Sequence, residues 1–175
     1  MASNLPDTRH LALHAHAFDL KGFKTWEGRD GVGYQFTLTH EGVPVAQVTE
    51  HGNGGCLRVD WHGLTAGPAA TPAQRKKAAA QAAQTGKALA ALASILASLP
   101  DIDLGHGIVV KANEDNVLGS LTEVVDLRKL VKRKTVFAEG DKVYTMNTPY
   151  TAAVATLLAG KYPRAVVLNT LAVYA

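Results

Sequence analysis

YQFTLTHEGVPVAQVTEHGNGGCLRVDW, residues 34–61, decides the fold class. Tyr34 to Thr39 alternates, with Phe36 and Leu38 on one side, as a half-buried strand must. Glu41-Gly42 is a tight turn, and Val43 to Thr49 returns as the next strand. Pro44 near its start predicts a strand end or an edge, because proline cannot donate to a ladder. His51-Gly52-Asn53-Gly54-Gly55 is the strongest turn signal in the chain, since Asn and Gly tolerate positive φ. Cys56 to Trp61 follows as a strand with Leu57, Val59 and Trp61 on one side. The segment is an antiparallel meander.

Upstream, His10 to Phe18 alternates as well. His10, His14 and His16 fall on one face, and Leu11, Leu13, Ala15 and Ala17 on the other, which predicts a first strand. Phe23 to Glu27 is a short extended piece, and the glycine-rich run from Gly28 to Gly33 a hairpin turn. That run lacks the Lys-Ser/Thr of a phosphate loop and the strand–turn–helix setting of a dinucleotide fingerprint.

Downstream, Gly63 to Ala70 is a small-residue linker. Thr71-Pro72 supplies an N-cap and an N1 proline for a helix running to about Leu99, where Pro100 stops it. Leu89, Leu92, Leu96 and Leu99 define its apolar face, and Arg75 to Gln84 is a polar, alanine-rich half that faces solvent. Asp101 to Asn116 is a loop in which Asp101, Asp103, Glu114 and Asp115 cap helix boundaries. A second helix is expected over Asn116 to Lys132 and a hairpin over Thr135 to Tyr144, turning at Glu139-Gly140-Asp141. Thr148-Pro149 begins a third helix with Tyr150, Val154, Leu157 and Leu158 on its apolar face. Ala165 to Leu168 is a last strand. The expected fold is α+β: an N-terminal antiparallel meander packed with about three helices and short C-terminal strands. It forms one domain over 1–175, β-rich over 9–62 and helical or mixed over 71–175.

Composition agrees with a packed domain. Of 175 residues, 47% are hydrophobic and 19% charged, which excludes wholesale disorder. The lone Cys56 permits no internal disulfide. The first twenty residues lack a signal peptide's apolar run, and no stretch reaches membrane-spanning length, so a cytoplasmic location and no membrane partner are expected.

The net charge is +3, a mild basic bias. It concentrates in Arg128, Lys129, Lys132, Arg133 and Lys134, at the end of the second helix. Such a patch suits phosphate contacts, although cations at a helix C-terminus also answer the backbone dipole. Arg75, Lys76 and Lys77 sit at a helix N-terminus, where the dipole opposes them. A second candidate is the turn Asn53, Gly54, Gly55 and Cys56. There a thiol close in sequence to His51 and His62 has the raw material of a nucleophile, while a cysteine opening an apolar strand is equally a small core residue. His14 and His16, two apart on a strand, suit a shared metal ion, with His40, His51, His62 or Asp60 to complete it. No recognised ligand spacing accompanies them.

FKTWEGRDGVGYQFTLTHEGVPVAQVTEHGNGGCLRVDW (23–61) and KTVFAEGDKVYTMNTPYTAAVATLLAGKYPRAVVLN (134–169) resemble the two ends of a group of small bacteriophage and mobile-element proteins. That group shares the Asn/Gly-rich turn into Gly-Gly-Cys, the basic strand entry, the Pro-Tyr helix start and the Lys-Tyr before a final strand. Residues 71–99 do not match it. The resemblance implies a phage or plasmid setting, in which small accessory proteins bind host proteins, nucleic acid or nucleotides, sometimes countering host defence. The leading expectation is a non-enzymatic binder of an anionic partner (nucleic acid, a nucleotide or an acidic host protein surface), with no cofactor. The alternatives are a small enzyme or metal protein centred on the Gly-Gly-Cys turn with His14, His16, His51 and Asp60, and a homo-oligomeric interaction module built on Leu89, Leu92 and Leu96.

Overall fold

A computed structural model describes residues 8–64, 71–103, 109–139 and 142–174. The chain divides into two compact units, one of Met1–Leu11 with Ser120–Ala175, the other of Ala12–Gly119. The fold is α+β.

The second unit holds the meander. β1 (Phe18–Glu27), β2 (Val32–His40), β3 (Val43–Glu50) and β4 (Arg58–Trp61) form one antiparallel sheet in sequence order. One face carries Phe18, Leu20, Phe36, Leu38, Ala46 and Val48, all buried. The other carries Gln35, Thr37, Gln47, Thr49, Arg58 and Asp60, so the period-two pattern converts directly into an inside and an outside. Glu41 (φ 52) and Gly42 (φ 76) make the two-residue turn between β2 and β3, both left-handed as a type I′ hairpin requires. Pro44 sits at a register shift before β4 begins to pair, so its missing N–H costs no ladder bond there.

The long helix starts and stops where expected. α2 (Pro72–Ser98) is capped by Thr71, whose hydroxyl accepts from the Gln74 N–H at 3.3 Å while the Gln74 side chain accepts from the Thr71 N–H at 2.7 Å. Its first turns are exposed. From Gln81 onward, earlier than the polar stretch to Gln84 led one to expect, the helix meets the sheet: Gln81 Nε2 donates to the Pro44 carbonyl of β3 at 2.6 Å, and Thr85 Oγ1 to the His62 carbonyl, just past β4, at 2.8 Å. The buried stripe is Thr85, Ala88, Leu92 and Ile95, with Leu89, Leu96 and Leu99 only half-buried beside it. Thr85 joins that stripe because its hydroxyl is bonded, which makes its burial cheap.

Three expectations are corrected. His10 to Phe18 is not a strand: Thr8–Ala15 is the helix α1, and β1 begins at Phe18. Leucine and alanine fill that segment with strong helix formers, and propensity overrides a period-two pattern only nine residues long. The helix over Asn116 to Lys132 is two, α3 (Glu114–Gly119) and α4 (Leu121–Val131), interrupted at Gly119-Ser120. Asn113 and Asn116 start α3 by exchanging side-chain to N–H bonds, each 3.0 Å. α5 (Ala152–Lys161) starts from Thr151, not Thr148, since the Thr148 carbonyl is held by the Thr135 N–H at 2.7 Å and hydroxyl at 2.8 Å.

Ile102–Asp103 (β5) pairs with Val109–Val110 (β6). In the first unit, β7 (Thr135–Glu139) forms the expected hairpin with β8 (Lys142–Met146) and pairs on its other side with β9 (Val166–Val167). One face of this small sheet, Val136 and Ala138, packs with Val124 of α4 and with Leu168, Val173 and Tyr174 from two short 3₁₀ turns. The other, Phe137, packs with Val154 and Leu158 of α5. Among the described residues no helix is long and apolar enough to cross a membrane.

Ala17 follows α1 at φ 59, a left-handed position that costs an L-residue about 1–2 kcal/mol. Ala17→Gly removes that strain at an unfolded-state cost of about 0.5–1 kcal/mol. A small gain in stability, on the order of 0.5 kcal/mol, read as a higher urea midpoint at unchanged slope, is the expected outcome.

Candidate functional site

The basic cluster is built at the junction of α4 and β7. The helix ends with Lys134 N–H and Arg133 N–H both donating to the Leu130 carbonyl, at 2.8 and 3.0 Å. Asn169 then locks the turn. Its Nδ2 donates to the Val131 and Lys134 carbonyls at 2.9 and 2.8 Å, and its Oδ1 accepts from the Val136 N–H at 2.7 Å. The five cations divide by role. Arg128 is half-buried and its Nε donates to the Val173 carbonyl at 2.9 Å, which ties α4 to the C-terminal turns. Lys129 pairs with Asp126 at 3.0 Å, with both side chains well exposed. Lys132 and Arg133 point to solvent and Lys134 is half-buried, and among the described residues none of the three forms an ion pair.

Charge segregates with the units. The first carries nine Lys and Arg against five Asp and Glu, the second nine against ten. The protein's basic excess therefore belongs to the first unit. Arg75, Lys76 and Lys77 are exposed on the first turns of α2, in the second unit, and form a separate cluster.

The Gly-Gly-Cys turn has a structural half and a free half. Gly52 is buried at φ 70, and its carbonyl accepts from the Asp30 N–H at 2.8 Å. A Cβ there would lie 2.7 Å from Gly33 N, so the two glycine-rich loops interlock through backbone approach. Glu50 completes the lock by accepting from the Gly52 N–H at 2.9 Å. Asn53, Gly54, Gly55 and Cys56 lie beyond, exposed at the tip. Cys56 is therefore not the small core residue that one reading expected, because β4 starts two residues later, at Arg58.

The histidines scatter. His14 is half-buried on α1, and His16 is exposed in the turn after it, so the strand face that would have aligned them does not exist. His40 is buried with its ring 4.7 Å from that of Phe18, and His51 is exposed. Asp60 is engaged by Arg58 at 3.0 Å. Among the described residues no three His, Cys, Asp or Glu side chains come together as a metal site.

Sequence reasoning missed a different grouping, at the first turn of α3. Glu50 lies opposite Tyr34 in the β2–β3 register. Burial pushes the Tyr34 hydroxyl's pKa up, and the charges of Glu50 and Asp115 push it further. Burial likewise raises the Glu114 carboxyl above its usual value, helped by Asp115 and opposed by a hydrogen bond from the Trp61 side chain. Glu114 Oε1 is enclosed and has no partner among the described residues. Such a carboxyl holds a proton more readily than a surface one. No local spacing announces it, since Tyr34, Trp61 and Glu114 come from three distant segments.

No family model, curated protein or solved structure matches this chain.

The Glu114 shift has a sign. As pH rises through the usual carboxyl value, unfolded chains release this proton while folded ones keep it, so stability falls until the folded value is passed. Glu114→Gln keeps an acceptor for Trp61 and removes that penalty. The variant should melt higher than the parent at pH 7, and the gain should vanish near pH 3. At the other site, Asn169→Ala strands two carbonyls and an N–H in part-buried positions. It should cost about 2–4 kcal/mol in denaturant unfolding, below three times the roughly 1–3 kcal/mol of a fully buried unmet group because these part-buried groups can take up water.

Proposed function

We propose that the chain is a non-enzymatic binding protein whose unit Ser120–Ala175 engages an anionic partner through the end of α4. The observation that carries this reading is the placement of charge. The basic excess lies in one unit, and Lys132 and Arg133 stand exposed, with no ion pair among the described residues, on a turn fixed by Asn169. A turn whose own polar groups are bonded holds its cations in place before a partner arrives, which lowers the ordering cost of binding. Lys134 continues the patch. Arg128 acts as an anchor, and Lys129 shares its charge with Asp126. Arg75, Lys76 and Lys77, in the other unit, are a second candidate for the same kind of ligand, at a helix start where the dipole disfavours them. The resemblance to phage and mobile-element proteins suggests where such a partner is met: nucleic acid or an acidic host surface in the cytoplasm of an infected or plasmid-bearing cell, with blunting of host defence as one outcome.

Binding of a labelled unpaired DNA strand of about 12 nucleotides, followed across a salt series, tests this reading. The log of the affinity should fall linearly with the log of the salt concentration. Lys132→Ala with Arg133→Ala should reduce the slope by about 1.4, at roughly 0.7 per neutralised phosphate on a single strand. Reversing both to Glu should abolish binding. A slope unchanged by either pair of substitutions would remove this patch from the interface.

A further inference from the structure

The first unit also carries an aromatic surface that packing alone does not use up. Phe137, at the centre of β7, is 2% exposed. Its register partner on the edge strand β8 is Tyr144, whose ring stacks on it with centroids 5.3 Å apart and planes at 18°. Tyr162, where α5 ends, adds a third ring, 5.1 Å from Phe137 and 6.4 Å from Tyr144. Tyr144 is nonetheless 38% exposed. A ring supported from below and open at its rim is a rigid π-surface, pre-set at no further entropy cost.

Cations surround it. Lys161 Nζ stands 5.5 Å from the centre of the Tyr162 ring. Lys142 lies two residues before Tyr144, hence on the same face of β8, and Arg164 lies two residues after Tyr162. All three are exposed, and among the described residues none forms an ion pair. The acid opposite Lys142 in the hairpin, Glu139, is half-buried. Lys134 comes one residue before the pair Thr135–Met146, three strand positions from the level of Tyr144, or about 10 Å at roughly 3.3 Å per residue. By the same alternation Lys134 falls on the opposite face of β7 from Phe137, so the basic turn adjoins the aromatic rim along the strand, at the end of the same small sheet.

We propose that this surface binds single-stranded nucleic acid, with an unpaired base stacked on Tyr144 and Tyr162, the backbone phosphates held by Lys142, Lys161 and Arg164, and the strand continuing past the end of the sheet to the Lys132–Lys134 turn. The proposal rests on the anionic-partner reading above and gives that partner a class. Aromatic rings among cations meet both parts of an unpaired strand, its bases and its phosphates. A duplex keeps its base faces stacked and offers only phosphates. An acidic peptide supplies charge but no base for the rings.

Three ligands separate the two readings: an unpaired strand of about 12 nucleotides, an abasic strand of the same length, and a duplex. The full chain should prefer the unpaired strand. Tyr144→Leu keeps an apolar cover over Phe137 without a π-face. It should weaken unpaired-strand binding roughly 5- to 100-fold and leave abasic binding unchanged. Tyr144→Phe should bind as the parent does, and the thermal melting of both variants reports that the unit is intact. If Tyr144→Leu binds the unpaired strand normally, or the abasic strand binds as tightly as the unpaired one, base stacking is wrong while phosphate binding by the basic turn stands. If none of the three ligands binds at low salt, the nucleic-acid form of the underlying reading fails, and stacking with it.

Discussion

The side chain of Asn169 is the constraint on which the first unit depends. A helix leaves its last carbonyls unmet, and the N–H of Val136, the second residue of the strand that follows, also needs an acceptor. Asn169 supplies two donors and one acceptor to these groups from a residue some thirty-five positions away. That one amide fixes the end of α4, the basic turn and the start of β7 as a single piece. The 3₁₀ turn carrying Asn169 also places Leu168 in the core, under Val136 and Ala138. The small sheet is thus covered on one side by α4 with the C-terminal turns and on the other by α5, and its exposed rim is where Tyr144 and the lysines are found.

The second unit is held differently. Its meander needs no side-chain clamp, because successive strands pair in sequence order and short hairpins close little chain entropy. Its special contact is backbone against backbone, Gly52 fitted against the loop from Gly28 to Gly33. This accounts for the glycines at Gly28 and Gly52, whose backbones meet. The Gly54-Gly55-Cys56 segment lies outside that contact, at an exposed tip.

How far the sequence could be read depends on the distance between the partners in each decision. The strands from Val32 to Trp61, the cap of α2 at Thr71 and the hairpin between β7 and β8 rest on neighbours a few residues apart, and these were legible. His10 to Phe18 alternates while its leucines and alanines favour helix, and over so short a pattern the propensity prevails. Thr148 and Thr151 are both credible caps before a helix. The choice falls to Thr151 because Thr135, far back in the chain, occupies the Thr148 carbonyl. The basic turn was visible as a charge run, and Asp126 lies within one helical turn of Lys129, but the role of Arg128 as an anchor needed Val173 in place. The grouping of Tyr34, Trp61 and Glu114 was invisible, because each residue has an ordinary local role and only the fold brings them together.

That division of cations bears on why the turn is so basic. A helix C-terminus rewards a positive charge by about 0.3–1 kcal/mol, and the benefit is confined to the last turn. Arg128 and Lys129 already occupy that turn, and Asn169 already meets the carbonyls of Val131 and Lys134. Lys132, Arg133 and Lys134 therefore add like charges to an end that is electrostatically served. Like charges about 4 Å apart in water repel by about 1 kcal/mol, less with salt and distance. The repulsion is small for each pair, but it opposes folding, and among the described residues no ion pair to these three side chains relieves it. Under the reading proposed above, a bound chain of phosphates would reverse its sign, so that the same charges cost the free protein slightly and favour the complex.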